Sequence, residues 1–402
     1  MLKNFNKCDL FIILWIIYYL QGVLYSPGII NKLLQLVMIL IAGIETIKLI
    51  STQIRSSFIK STFYLLLMYC VYGVWIILFG DGVTFINGNA PADYLYLQVS
   101  LNSLLPIFMF YNYTKKGLLI ERRIIVYTIL FIILTMILYS KVEHSLITEF
   151  DQEESTNNIG YNFVSLIPLI FFFYKKPILQ YILLGICGVY IMMSFKRGAI
   201  LIGTVSIIVF LYSNLKGGGG IRRMIIIYLL TIGIVVCAKY YISMMLQTSD
   251  YFVQRLEQTI EGNSSGRDII YTYIWNAFIN EPNPLYFLFG HGANATIGVS
   301  GNYAHQDWLE ILYNNGIVGV IILSVFFITL AKTTYHQRHK FPKYMYNSFL
   351  VLSIITFSKT IFSASIQDIL VFQSLLIGYF AYLSTLPKNG ILYLNREKLS
   401  KE

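Results

Sequence analysis

A pair of cations stands in a short turn between two apolar segments of a very hydrophobic chain. The stretch "SFKRGAIL" carries Lys196 and Arg197. A guanidinium group donates two parallel charge-assisted hydrogen bonds, a geometry that suits phosphate oxygens. We therefore expect this pair to face an anion held at the outer face of the membrane that the chain spans. The alternative is that a neighbouring apolar segment is mispredicted and the turn lies on the other side.

Two further lysines lie near the ends of apolar segments, Lys239 in "VVCAKYY" and Lys359 in "ITFSKTIF". A charge within a membrane segment is costly and normally faces water or a partner. Either lysine could instead extend its ammonium group to the interface. Together with Arg197, both could line one outward-facing cationic cavity.

The stretch "NSSGRDIIYTYIWNAFIN" predicts an amphipathic helix capped by Ser264 or Ser265. Its apolar stripe at helical spacing consists of Ile269, Ile270, Tyr273, Ile274 and Ala277. Arg267 falls in the first turn, where exposed backbone N–H groups and the guanidinium could bind an anion together. The alternative is a solvated arginine paired with Asp268 or Glu261.

A histidine occurs in the polar stretch "GNYAHQDWLEILYNNGIVG", immediately before a long apolar run. If Asn302 caps a helix, His305 lies in its first turn, on a packed stripe that continues through Leu309, Leu312 and Gly316. A positive helix end favours the neutral imidazole, which is the form a general base needs. The alternative is an interfacial histidine bonded to a nearby carbonyl.

Three other polar residues of this region are candidate contacts for an acceptor substrate. His291 in "FGHGAN" is expected to be a turn residue, because "GHG" is too short for a phosphate-binding fingerprint. Asp307 and Glu310 are expected to be surface or helix-capping residues. The sequence contains neither a glycosidase-like carboxylate pair nor convincing metal-ligand spacing, so we expect no metal and no cofactor.

The elements that must position these residues are membrane helices. The chain has 402 residues, of which 56% are hydrophobic and only 12% are charged, whereas soluble domains carry roughly 25% charged residues. Apolar segments from Leu10–Tyr25 to Ile369–Ser384 predict an all-α polytopic membrane protein with about twelve spanning helices. The four cysteines lie in or beside apolar runs and predict packing, not disulfides.

Lysine and arginine in short loops indicate the cytoplasmic side. Their distribution predicts that both termini are cytoplasmic, so the net charge of +10 lies mostly on that face and needs no nucleic-acid partner. We predict a membrane domain at 1–242, a large outer loop with short amphipathic helices at 243–315, membrane helices at 316–385 and a basic cytoplasmic tail at 386–402.

The order of "KRGAIL", "SGR", "LFGHGAN" and "AHQDWLEILYNNGIVGVIIL" resembles the O-antigen polymerase and O-antigen ligase family, the Wzy-type and WaaL-type enzymes. The resemblance is best from about Ser194 to Leu330. It implies a glycosyltransferase with a GT-C-like helical fold in the inner (plasma) membrane. The substrate implied is a glycan on undecaprenyl diphosphate.

Position by position, the resemblance implies that Arg197 and Arg267 grip the diphosphate and that His305 is the catalytic base. Gln306 stands where the family more often has asparagine, which leaves the role of this position open. A Wzy-type polymerase of O-antigen or capsule repeat units is the reading we favour. It implies membrane lipid, a Wzz-type chain-length regulator and a flippase as partners.

Three other functions compete with the polymerase. An O-antigen ligase would share its motifs. A lipid-linked oligosaccharide flippase would also have about twelve helices and a cationic cavity, but it does not require a large loop with a histidine at its exit. A glycosyltransferase that uses a polyprenyl monophosphate sugar would carry acidic residues in the first outer loop. That loop reads "LYSPGI" and contains no acidic residue.

Overall fold

The structure is a computed structural model that describes residues 5–24, 28–52, 54, 56–79, 93–149, 158–215, 266–363, 366 and 369–388, with residues 232, 236, 239, 240, 243 and 257. In these ranges every regular element is helical. The α-helices are α1 (Lys7–Leu24), α2 (Ile29–Ile50), α3 (Ser57–Phe79), α4 (Asp93–Lys115), α5 (Glu121–Glu149), α6 (Gly160–Ile170), α7 (Pro177–Met193), α8 (Arg197–Leu215), α9 (Arg267–Ile279), α10 (Pro284–Phe289), α11 (Ala295–Ser300), α12 (Asp307–His336), α13 (Lys343–Phe362) and α14 (Val371–Leu383).

Five helices among the described residues are long and apolar enough to cross a membrane. They are α2, α3, the Glu121–Val142 part of α5, α12 with the turn that follows it, and α13. Shorter apolar helices include α7 and α14. The prediction of an all-α, multi-pass membrane protein is confirmed, while the count of about twelve spans stays a prediction. The ninth predicted span, Met224–Ile242, falls almost entirely outside the described residues.

The chain divides into two compact units. The first comprises Met1–Leu34, Leu119–Asn263 and Phe341–Ile355, and the second comprises Gln35–Leu118, Ser264–Lys340 and Thr356–Glu402.

In the first unit, the start of α1 is fixed by reciprocal capping. Asn6 Oδ1 accepts the backbone N–H groups of Cys8 and Asp9, at 2.8 and 3.1 Å. Asp9 Oδ2 accepts the N–H of Asn6 at 2.8 Å, and Arg123 Nε donates to Asp9 Oδ1 at 3.1 Å. This buried carboxylate is paired with a cation and hydrogen-bonded, and it joins α1 to α5.

The second unit is held by close packing of α4 against α14 and of α3 against α12. A side chain at Gly378 would meet the backbone of Ile107 and Tyr111, so α14 can approach α4 this closely only with glycine there. Ser61 and Thr329 share a hydrogen bond of 2.6 Å between α3 and α12.

A small apolar core joins α9 to the first turns of α12. Its buried members are Ile274, Phe278, Ala304, Leu309 and Tyr313. The prediction that Arg267 opens a helix is confirmed, but Gly266 is its N-cap and no side chain caps it. The predicted stripe was partly wrong: Ile269 and Tyr273 are exposed, and Phe278 is buried instead. The inward face is therefore rotated from the predicted stripe toward Phe278.

Candidate functional site

Three of the segments singled out by sequence share one backbone feature. Phe195 (φ +51°), Gly266 (φ +77°) and His305 (φ +53°) are left-handed, and each stands one or two positions ahead of a helix. A left-handed residue turns the chain sharply, so the residues that follow enter the helix with their N–H groups exposed at its end. For a non-glycine residue this conformation costs roughly 1–2 kcal/mol, and it must be held by neighbouring contacts.

In the first unit, Arg197 is the first residue of α8 and its side chain is exposed. Lys196 is half-buried just ahead of it. The guanidinium therefore lies at a positive helix end that is open to the surroundings, as an anion-binding role requires. Lys239, also in this unit, is exposed.

In the second unit, Arg267 lies at the C-terminal end of α13. Its Nη1 donates to the carbonyl oxygen of Phe362, the last residue of α13, at 3.1 Å. A cation at a helix C-terminus is favoured by the carbonyl dipoles there. This contact brings the start of α9 to the end of α13.

The start of α12 reaches the same end of α13. Trp308 Nε1 donates to Thr360 Oγ1 at 3.0 Å, and the Trp308 and Phe357 rings lie 6.3 Å apart. Lys359, next to Thr360, is only 4% exposed. The first turns of α9 and α12 therefore both contact the last turn of α13, which also carries Lys359.

Asp307 is an internal structural residue. It is 4% exposed, and its Oδ2 accepts the backbone N–H of Ile366 at 3.0 Å. Of the two expectations for this residue, surface exposure and helix capping, the first was wrong, because the buried carboxylate ties the first turn of α12 to the segment that follows α13.

His305 precedes its helix and does not lie in a first turn. The helix begins at Asp307 with Gln306 as N-cap, so the prediction that Asn302 caps it was wrong. The Asn302 side chain instead accepts the N–H of Tyr303 at 2.8 Å. His305 is half-buried in the turn before the cap.

Glu310 holds the turn that carries His305. Its Oε2 accepts the N–H of Ala304 at 2.7 Å, and its Oε1 accepts from Thr296 Oγ1 and from Asn314 Nδ2. Asn314 Oδ1 in turn accepts the Thr296 N–H at 3.1 Å. The carboxylate thus ties α11 and the His305 turn to α12, which the sequence alone did not indicate.

Tyr303 lies in the same turn. Burial, and after it the nearby Glu310 carboxylate, raises the pKa of the Tyr303 phenol. The hydroxyl therefore stays protonated at neutral pH and remains a hydrogen-bond donor.

His291 occupies the turn between α10 and α11, as predicted. Its ring is stacked between Tyr286 and Tyr313, with centroids at 4.7 and 4.5 Å. Nε2 lies 2.9 Å from Glu281 Oε2, a contact that is close but poorly aligned for a hydrogen bond. This environment orients the ring within the loop.

The helix α12 is kinked at Gly316, next to the turn that carries His291. Gly316 has φ +67° and ψ −165°, and the carbonyls of Tyr313 and Asn314 accept the N–H groups of His291 and Gly292 at 3.0 and 2.9 Å. In an unbroken helix these carbonyls would accept from residues four positions later. The glycine in the apolar run was the one visible signal for this kink.

No group of three or more His, Cys, Asp or Glu side chains that could hold a metal ion occurs in the described part of the chain. The segments singled out above offer cations, helix N-termini and the imidazoles of His291 and His305.

Comparison with known proteins identifies the region that contains these residues. Residues 182–324 match the Wzy_C family model, which is described as O-antigen ligase. No curated protein matches the chain. The matched region includes Arg197, Arg267, His291 and His305, and it ends before Lys359. With its several apolar helices, the chain is a multi-pass membrane protein, and its residues 182–324 are similar to the O-antigen ligase family, which supports a polysaccharide-related function.

Proposed function

We propose that the protein is a polysaccharide polymerase. It transfers a growing glycan from undecaprenyl diphosphate onto an incoming lipid-linked repeat unit, on the outer face of the plasma membrane. The observation that carries the proposal is the arrangement around His305. Glu310 fixes the turn of His305 ahead of α12. Three residues after His305, Trp308 contacts the same end of α13 that Arg267 contacts.

The reaction breaks the bond between the anomeric carbon and the diphosphate oxygen. Charge then builds on the leaving diphosphate, and fixed cations together with exposed helix N-termini stabilise that charge. Arg267 and Lys359 are suited to this role in the second unit. In the first unit, Arg197 takes the same role, in line with the family resemblance, and Lys196 and Lys239 add positive charge.

The acceptor sugar hydroxyl forms the new bond to the anomeric carbon and loses its proton as it does so. His305 is the base that receives the proton. The partial positive charge at the nearby N-terminus of α12 disfavours a positive charge on the ring, which supports a neutral imidazole before the reaction. Tyr303, a neutral phenol in the same turn, is placed to donate a hydrogen bond to a sugar oxygen.

Asp307, Glu310 and His291 shape the acceptor side. Their side chains bond to or stack on neighbouring protein groups, so we assign them to orienting the loop that an acceptor would contact. Both termini lie in the cytoplasm in this proposal. A Wzz-type chain-length regulator and a flippase are the partners that such a polymerase needs.

An O-antigen ligase is the second candidate, and the description of the matched family model favours it. The same donor and the same residues would serve it. Only the acceptor differs, a lipid A core in place of a lipid-linked repeat unit.

The test is reconstitution of the full chain in liposomes with undecaprenyl-diphosphate-linked repeat units. A ladder of chain lengths that disappears in His305→Ala would support the polymerase. Product formed only when a lipid A core acceptor is added would favour the ligase. Movement of the lipid-linked unit across the bilayer, without any new glycosidic bond, would overturn both and favour a flippase.

A further inference from the structure

The short helix α10 exposes an unusual apolar surface in the loop. Its sequence is "PLYFLF", and its large apolar side chains are 38–63% exposed: Leu285, Tyr286, Phe287, Leu288 and Phe289. A contiguous exposed apolar patch of this kind marks a binding surface on a soluble protein. On a membrane protein, such a patch can contact lipid instead of water.

The rear of α10 is fixed, so these side chains cannot turn inward. A side chain at Gly316 would meet the carbonyl of Leu288, and one at Gly290 would meet the backbone of Asn314 and Asn315. Phe287 stacks on Phe278 of α9 at 4.7 Å. The exposed position of these apolar side chains is therefore fixed by the packing of the loop.

The position of α10 follows from its contact with α3, one of the candidate spans. The hydroxyl of Tyr72 donates to the carbonyl of Phe289, the last residue of α10. Tyr72 stands well before the end of α3 at Phe79, which at 1.5 Å per residue is roughly 10 Å along the helix. The end of α10 thus lies beside the apolar body of α3, and not beyond it.

The last turns of α3 expose apolar side chains as well. Trp75, Leu78 and Phe79 are 59%, 65% and 62% exposed. Because α3 is long and apolar enough to span the bilayer, these side chains face lipid. Trp75 and Phe79 lie one and two turns beyond Tyr72 on the same side of α3, so the end of α10 lies beside this surface.

The outer face of α9 extends the same surface. Ile269, Tyr273, Trp275 and Ile279 are about half exposed, although the opposite face of α9 already packs on the loop core. The same face also exposes Asp268, Thr272 and Asn276. A face that mixes apolar and polar side chains and carries Trp and Tyr is typical of a helix at the membrane interface.

We propose that α10 and the outer face of α9, here called the α9–α10 platform, are seated in the lipid of the bilayer. The occupant of the surface is bulk membrane lipid. This inference goes beyond the proposed function and does not depend on it. It implies that Arg267, at the start of α9, is held at the depth of lipid headgroups.

The experiment measures the depth of spin labels on the full chain in nanodiscs of phosphatidylethanolamine and phosphatidylglycerol. Single-cysteine variants Leu285→Cys and Leu288→Cys are made in a background that lacks Cys8, Cys70, Cys187 and Cys237. Ile321→Cys, on the exposed face of the α12 span, is the lipid control. His339→Cys, in the exposed polar turn after α12, is the water control.

Oxygen concentrates in lipid, whereas a nickel chelate stays in water. Labels at 285 and 288 are expected to resemble 321, with several-fold more relaxation by oxygen than by the chelate. Labels that resemble 339 would overturn the proposal. Immersion that appears only after undecaprenyl phosphate is added would also overturn it, since the surface would then bind the polyprenyl chain and not bulk lipid.

Discussion

The backbone N–H of Ala304 donates a hydrogen bond of 2.7 Å to Oε2 of Glu310. Ala304 immediately precedes His305, whose backbone is left-handed with φ +53°. Thr296 and Asn314 donate to the other oxygen of the same carboxylate. Glu310 therefore holds the backbone just ahead of His305, and in the proposed function it is a positioning residue and not the base.

Glu310→Gln should lower the rate of polymer formation by about 100-fold, the loss expected when a catalytic group moves by about 1 Å. The carboxylate accepts three hydrogen bonds on two oxygens, and an amide offers only one oxygen as acceptor. We expect kcat to fall while KM and the amount of folded protein change little. Chain-length ladders and turnover from purified protein in liposomes measure this.

Glu121→Gln is the matched control. Glu121 also accepts a side-chain hydrogen bond, from the hydroxyl of Tyr344 at 2.9 Å, but it lies in the first unit and outside the matched region. Its kcat should be unchanged. Equal losses in both variants would mean that Glu310 supports stability only.

The sequence predicted the larger features because they depend on composition and local pattern. Hydropathy over long segments indicated membrane helices, and the helix that Arg267 opens was found from its apolar spacing and its polar start. The inward face of α9 was misassigned, since a helix that is apolar on both sides gives no single stripe.

The site was harder to predict because it depends on contacts between distant residues. The left-handed His305 carries a β-carbon that disfavours this conformation, so no local pattern indicates it. The buried bond from Asp307 to the N–H of Ile366 and the three bonds to Glu310 depend on tertiary packing. Acidic residues near a helix start more often suggest capping or solvent exposure.

His305→Gly and His305→Ala should both abolish polymer formation, since neither supplies a base. Their stabilities should differ, because glycine adopts the left-handed backbone freely and alanine does not. We expect the glycine variant to be more stable than the alanine variant by about 1 kcal/mol. Thermal unfolding of the detergent-solubilised protein measures the difference. Polymer formation that survives in either variant would remove His305 as the base.

Arg267→Lys should lower the rate of polymer formation by about 100-fold or more, in the range of losing one transition-state donor. Lysine keeps the charge but lacks the planar fork that can bond Phe362 O and a phosphate together. Turnover of the lipid-linked substrate measures this. Arg338→Lys, in the polar turn after α12, is the control and should retain full activity. Full activity in Arg267→Lys would show that charge alone is sufficient.

Gly316→Ala should destabilise the protein by about 2–4 kcal/mol, which combines left-handed strain with overpacking. The new β-carbon would meet the carbonyl of Leu288, and relief of that clash would break the bonds from His291 and Gly292 to α12. Gly185→Ala in α7 is the control, because a β-carbon there has nothing within 4 Å. That change should be neutral or stabilising by up to about 1 kcal/mol. The thermal unfolding midpoints of the two variants test this prediction. Equal midpoints would mean that the α12 kink is not required for stability. A lower midpoint in Gly316→Ala alone would mean that the loop depends on the kink.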